Sequence, residues 1–367
     1  LFKFRIIPLL LLLFSIFTIG LSSKYNAATE LIYTNVINRG IREKISLLVG
    51  KTNLSVGEIL LVIIFILIIV FLINFVRRIL KPSKWLESLV RFFWGSVNII
   101  SILLFIYILM FGLNYHTLSL DKNLVEKYNN KYSTEIKVSI DNQKREEVFK
   151  YLVEKTKESR DILKTTEGLT SYNFLDLSEQ AVQGYNIISE AFPNLGGKYS
   201  LPKKSFANEG MMFLGLDARY SMFANEITVN TKIPNEYMPF VISKYMAYQR
   251  GIAREDEASF FAYLACTNNS DIKFKYSGYL VMLSMVSESM RNYNRVAYNN
   301  LVTSIDENVV RDLAKIESYK ENYGHGTEFK DLIKNNFKRL NGDIRIDGVE
   351  NQVTQLLSIY YSLFTYN

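Results

Sequence analysis

Histidine and cysteine are almost absent: the chain has two histidines, His116 and His325, and one cysteine, Cys266, in 367 residues. One cysteine cannot close an intramolecular disulfide, so any outer domain must rely on its core. Ser-His or Cys-His catalysis has little material. His116 follows a long apolar run, His325 stands between Gly324 and Gly326 in a loop context, and Cys266 lies in an apolar helical pattern that reads as buried and inert. A phosphate-cradling loop is missing too. Its nearest match, Gly196-Gly197-Lys198, continues with Tyr199 where Ser or Thr is needed, and no glycine stands five residues before Gly197. The net charge of +7 comes from basic residues scattered over the whole chain, and no recognition motif accompanies them. This argues against a nucleic-acid partner and for lysines near anionic lipid headgroups.

Hydrocarbon is plentiful instead. Apolar runs cover about 6–21, 59–76 and 92–113, and a helix needs roughly 20 residues to cross a bilayer core. The second and third runs meet that length. The first is shorter, so a signal peptide is its rival reading, but no small-x-small cleavage site follows closely. Arg77, Arg78, Lys81, Lys84 and Arg91 crowd the second connection, and Lys3 and Arg5 precede the first run. The positive-inside rule then puts the N-terminus inside and everything after Leu113 outside. In the first loop, Ile32, Val36, Ile41, Ile45 and Leu48 recur at helical spacing, the stripe of a helix lying on the membrane or on the outer domain.

Residues 1–113 therefore form a membrane region and 114–367 one outer domain, α+β and mostly helical. Helices are predicted over 143–164, 176–191, 239–249, 254–265, 277–301, 307–320, 326–338 and 349–364. Two or three short strands are expected between Met211 and Asn230, as in Glu226-Ile-Thr-Val-Asn230, with Gly197 to Ser205 as a loop. Pro239 suits a first helical turn, and Gly251 suits the position just past the helix end.

The stretch from Pro239 to Cys266 has the outline of a zinc-peptidase helix pair without its histidines. Such a site needs His-Glu-x-x-His on one helix and a third ligand on a later one. The five slots hold Lys244, Tyr245, Met246, Ala247 and Tyr248, while the later acidic slot keeps Glu257. Lys244 could act as a catalytic amine, but the simpler reading places its ammonium at the old metal position, paired with Glu257. Tyr245 and Tyr248 would fill the remaining volume. Glu226, Asn230 and Arg254 are candidates for lining a groove. A glycosidase-like pair of Glu226 and Glu257 has no spacing signal behind it.

Several blocks resemble the bacterial DUF3810 family over nearly the whole length. Ile32-Tyr-Thr-Asn-Val-Ile-Asn-Arg-Gly-Ile41, Leu54-Ser-Val-Gly-Glu-Ile59 and Phe111-Gly-Leu-Asn-Tyr115 resemble its membrane half. Gln249-Arg-Gly-Ile-Ala-Arg-Glu-Asp-Glu-Ala258, Phe261-Ala-Tyr-Leu-Ala-Cys266 and Tyr276-Ser-Gly-Tyr279 resemble its outer domain. The resemblance implies a membrane-anchored, zincin-like peptidase domain, with His-Glu-x-x-His just before Gln-Arg-Gly. This sequence departs there, and also at Asn225-Glu226-Ile227-Thr228, where the family has Gly-Glu-Ala-Asn. With Glu257 alone carried over, no metal and no cofactor are expected. The expectation is an extracytoplasmic pseudo-peptidase on the bacterial cytoplasmic membrane, touching lipid and binding an envelope peptide, a cell-wall fragment or a protein partner. The alternatives are a metal-free or atypical-metal envelope hydrolase and a purely structural membrane protein.

Overall fold

Long unbroken apolar sequence makes long helices, because a chain without water must satisfy its backbone internally. The computed structural model describes residues 3–80, 85–136, 142–165, 173–323, 336–343 and 348–364. His325, Lys81, Ser83, Lys84 and most of the helix predicted over 326–338 lie outside the described residues. Contacts divide the chain into two units: Leu1–Thr117 with Ser221–Glu226, and Leu118–Tyr220 with Ile227–Asn367.

In the first unit, the apolar runs become α1 (Lys3–Lys24), α3 (Val56–Ile79) and α4 (Trp85–Met110). All three are long and apolar enough to cross a membrane. Phe71 stacks on Phe92 and Phe75 packs tilted against it, with ring centroids 5.2 Å and 4.2 Å away, joining α3 to α4. Phe14 meets Phe105 at 6.0 Å, and Ser23 Oγ lies 3.0 Å from His116 Nδ1, so α1 and α4 run parallel with their C-terminal ends together. The third helix is shifted from the predicted 92–113: α4 starts earlier, at Trp85, and stops at Met110, and Gly112–His116 forms a 3-10 turn.

Between α1 and α3 the predicted amphipathic helix is present as a π-helix, Thr29–Asn38, continuing into α2 (Arg39–Val49). Its buried side is polar, made of Thr34, Asn38, Arg42 and Ser46, and Ile32, Val36, Ile41 and Leu48 are exposed.

In the second unit, α5 (Leu120–Tyr132), α6 (Asn142–Thr165) and α7 (Phe174–Ile188) come first. The short helix α8 (Asn208–Phe213) follows, then α9 (Met238–Gln249) and α10 (Glu255–Thr267). Further along come α11 (Ile272–Tyr293), α12 (Arg295–Val302), α13 (Glu307–Asn322) and α14 (Val349–Phe364). Every residue of α10 from Asp256 to Cys266 is buried, which makes it the central helix. Phe192 packs on Phe261, Tyr360 on Phe260 and Tyr279 on Tyr263. At Gly184 of α7 an added Cβ would sit 2.4 Å from Ala265 O, so only glycine permits this approach to α10.

Several boundaries differ from expectation. The predicted helix 277–301 is two helices, because Asn294 leaves helical geometry and its side chain caps Ala297 N. Met211 belongs to α8 rather than a strand. The strands β1 (Lys203–Lys204), β2 (Ala218–Ser221) and β3 (Glu226–Val229) form one sheet in the order β1-β3-β2, with β1 parallel to β3. β1 lies in the stretch read as a loop, since two lysines carry no apolar alternation.

Candidate functional site

The helix pair α9–α10 begins as the sequence implies. Pro239 stands in the first turn of α9, and Gly251 takes φ 90 just past its end, a left-handed value that suits glycine. The intervening Gln249-Arg250 is structural. Arg250 is buried, its Nε donates to Leu195 O at 2.9 Å, and its guanidinium lies over the Tyr185 and Tyr199 rings at 4.2 Å and 5.0 Å. Gln249 Nε2 donates to Ser200 O at 3.2 Å. Together they hold the loop after α7 against the end of α9.

The expected Lys244–Glu257 pair is replaced by two separate pairs. Lys244 Nζ lies 3.1 Å from Glu255 Oε1, and Lys338 Nζ lies 3.2 Å from the other oxygen of Glu255. Glu257 Oε1 instead accepts from Arg254 Nη1 at 2.8 Å and from Leu120 N at 2.9 Å. Arg254 is three residues before Glu257 at the opening of α10, so it is the nearest cation by helix geometry. Arg254 Nη1 also donates to Leu118 O at 3.2 Å. Burial pushes the Glu257 carboxyl above the usual carboxylate range, and the Arg254 charge and the Leu120 N–H only partly offset it.

Tyr245 and Tyr248 pack edge to face with ring centroids 5.4 Å apart. Burial raises the Tyr245 phenol, and nearby Asp217 and Glu255 raise it further. The same Asp217 accepts from Tyr237 Oη at 3.0 Å, and Tyr319 is raised by burial and then by the Asp217 charge. Asn230 is fully buried and its Nδ2 lies 3.3 Å from Tyr319 Oη. The structure thus brings Asn230 and Tyr245 to one tyrosine-ringed aspartate. Asp217, Tyr237 and Tyr319 were not legible as a set, because they come from three distant parts of the chain. Cys266 is buried near Ser243 Oγ at 3.3 Å, and burial pushes its thiol up to about 12, far from a reactive thiolate.

Glu226 is a helix cap rather than a groove residue. It is fully buried in the first unit. Its carboxylate accepts from Ser55 Oγ at 2.6 Å, Val56 N at 3.1 Å and Gly57 N at 3.1 Å, while Ser55 Oγ accepts from Glu58 N at 3.1 Å. Together they satisfy the first N–H groups of α3 in a buried place, where the helix dipole also favours negative charge. A Cβ at Gly57 would lie 2.7 Å from Ser221 Cβ, so glycine is needed for this approach. The acid-pair reading of Glu226 with Glu257 therefore fails, since each carboxylate is committed to its own donors.

This donor set does not fit zinc. Lys244 brings a cation already paired, Glu257 is taken by a guanidinium and a backbone N–H, and Tyr245 is a phenol that burial keeps protonated. Among the described residues, no three His, Cys, Asp or Glu side chains gather in a way that could hold a metal.

The fold and these sites define a mostly helical protein with three potential membrane-spanning helices near its N-terminus. Residues 33–357 match the model of the family described as protein of unknown function (DUF3810), and the chain belongs to that family. No curated protein and no solved structure matches it.

Proposed function

We propose that this protein is a membrane-anchored pseudo-peptidase: an outer domain of zincin-like ancestry that binds a peptide, a cell-wall fragment or a protein partner in the bacterial envelope without zinc hydrolysis. One observation carries the reading. At the position that the family resemblance implies for the first zinc-binding histidine, Lys244 is ion-paired with Glu255. A paired ammonium repels a second cation and has no lone pair to offer one. The neighbouring commitments of Glu257 to Arg254 and Leu120 support the same conclusion. In this reading the N-terminus is inside, the basic connection between α3 and α4 is cytoplasmic, and the second unit is outside.

Reporter fusions should then place Ser83 inside and Asn268 outside. The purified full chain should retain envelope peptides or cell-wall fragments on an affinity matrix and release them uncleaved. Cleavage that depends on added metal and is abolished by Glu257→Gln would overturn the pseudo-peptidase reading, because hydrolysis would then occur at this helix pair.

A further inference from the structure

Residues 29–49 are inverted relative to a helix on a water-soluble surface. On the inward side, Thr34, Asn38, Arg42 and Ser46 recur every four residues, and Thr29 precedes them by five. The five-residue step falls in the π-helical part, whose wider i→i+5 turn keeps Thr29 and Thr34 on one face. Outward, Leu31, Ile32, Val36, Ile37, Ile41, Leu47 and Leu48 are all exposed.

The inward polar stripe is bonded to the end of the third apolar helix. Asn38 Nδ2 donates to Leu109 O and Met110 O, both at 3.0 Å, and Tyr33 Oη also donates to Leu109 O. Thr34 Oγ1 donates to Asn114 Oδ1 at 3.0 Å, and Arg42 Nε donates to Asn38 Oδ1 at 2.6 Å. Asn38 and Tyr33 satisfy carbonyls that the end of α4 leaves without helical partners, and Arg42 holds Asn38 in place. Asn26, twelve residues before Asn38, bonds His116 O at 2.8 Å. The segment thus stays at the C-terminal end of α4 instead of following it along its length.

Such a segment would be costly in water, where a contiguous apolar face seeks cover. We propose that residues 29–49 form an in-plane membrane helix whose outward face lies against lipid at the headgroup–acyl boundary. The inference rests on the membrane reading of the three long helices. Lipid is the occupant because the exposed apolar surface of those helices continues onto this segment, which is fastened at the end of one of them. The charges fit a boundary position: Arg39 pairs with Glu43 four residues on, at 2.9 Å, and Lys44 is exposed.

The test uses the full chain in phospholipid vesicles, with single spin-labelled cysteines at Ile32, Val36 and Leu48, and the buried Cys266 left in place. Phe65, exposed on α3, is the membrane reference, and the exposed Lys122 is the water reference. At Ile32, Val36 and Leu48 the ratio of oxygen to nickel-complex collisions should exceed that at Lys122 several-fold and approach that at Phe65. If Phe65 itself behaves like Lys122, the membrane reading fails and takes this proposal with it. If Phe65 reports lipid while Ile32, Val36 and Leu48 report water, only the in-plane helix is overturned. Spin–spin broadening at those three positions would overturn it in favour of a second copy of the chain covering the face.

Discussion

The two units differ in what they bury and what they expose. In the first, the interior holds Ser15, Thr34, Asn38, Arg42, Ser101 and Glu226 beside Ile108, Phe111 and Leu113, while many Ile, Leu and Phe side chains cover the outside. In the second, α10 buries its own Phe260 and Phe261 in a core that also holds Phe240, Phe274 and Leu280, with paired charges at the opening of the helix. A lipid-facing surface needs no hydrophobic interior, so polar groups move inside where they can bond one another. A water-facing domain gains most by burying hydrocarbon. The buried carboxylates show the same contrast: Glu226 is stabilised by neutral hydroxyl and backbone donors at a helix start, Glu257 by a guanidinium and one backbone N–H.

That contrast can be broken at the carboxylates. The largest effect is expected from Arg254→Met, which leaves Glu257 buried beside one backbone donor. The loss should be ~4 kcal/mol in denaturant unfolding of the detergent-solubilised chain, and a loss under about 1 kcal/mol would show that the pair is solvated. Glu226→Ala should cost ~3 kcal/mol, because it strips an acceptor from three buried donors at the start of α3. Glu226→Gln, which keeps one oxygen acceptor, should cost less. Equal losses for the two variants would mean that the cap contributes through packing alone.

Lys244→Met should cost only ~1 kcal/mol, since Glu255 keeps Lys338. In a double-mutant cycle Lys244 should couple to Glu255 and not to Glu257. The reverse pattern would restore the pairing expected from the sequence.

The smallest effect is a pH slope. Glu257 has a raised pKa in the fold, so between the ordinary carboxylate range and that raised value the folded chain holds a proton the unfolded chain has lost. Its contribution to stability is therefore fully present below the unfolded pKa and declines as pH rises through the folded one. Melting temperature should fall across that window more steeply in the natural chain than in Glu257→Gln. Parallel curves would remove Glu257 as the cause.

Local signals were readable where one stretch of chain carries the whole cause. Pro239, Gly251 and the acidic start at Glu255 delimit α9 and α10 within a residue or two of expectation. The three apolar helices were legible for the same reason. The role of Glu226 was not, because its donors lie about 170 residues earlier and nothing near it marks a helix cap. Lys244 was assigned the wrong acid although the correction was within reach: Arg254 precedes Glu257 by one helical step and claims it first. The amphipathic stripe at Ile32 was seen, but its periodicity alone cannot tell which of its faces is buried.

The central claim is that the helix pair has exchanged a metal site for ion pairs. Zinc analysis of the purified full chain, with its melting temperature recorded before and after chelation, tests this most directly. A resident metal stabilises the fold that binds it. The account predicts far less than one zinc per chain and no change on chelation. One zinc per chain, with a chelator-dependent drop of several degrees that Glu257→Gln abolishes, would contradict it.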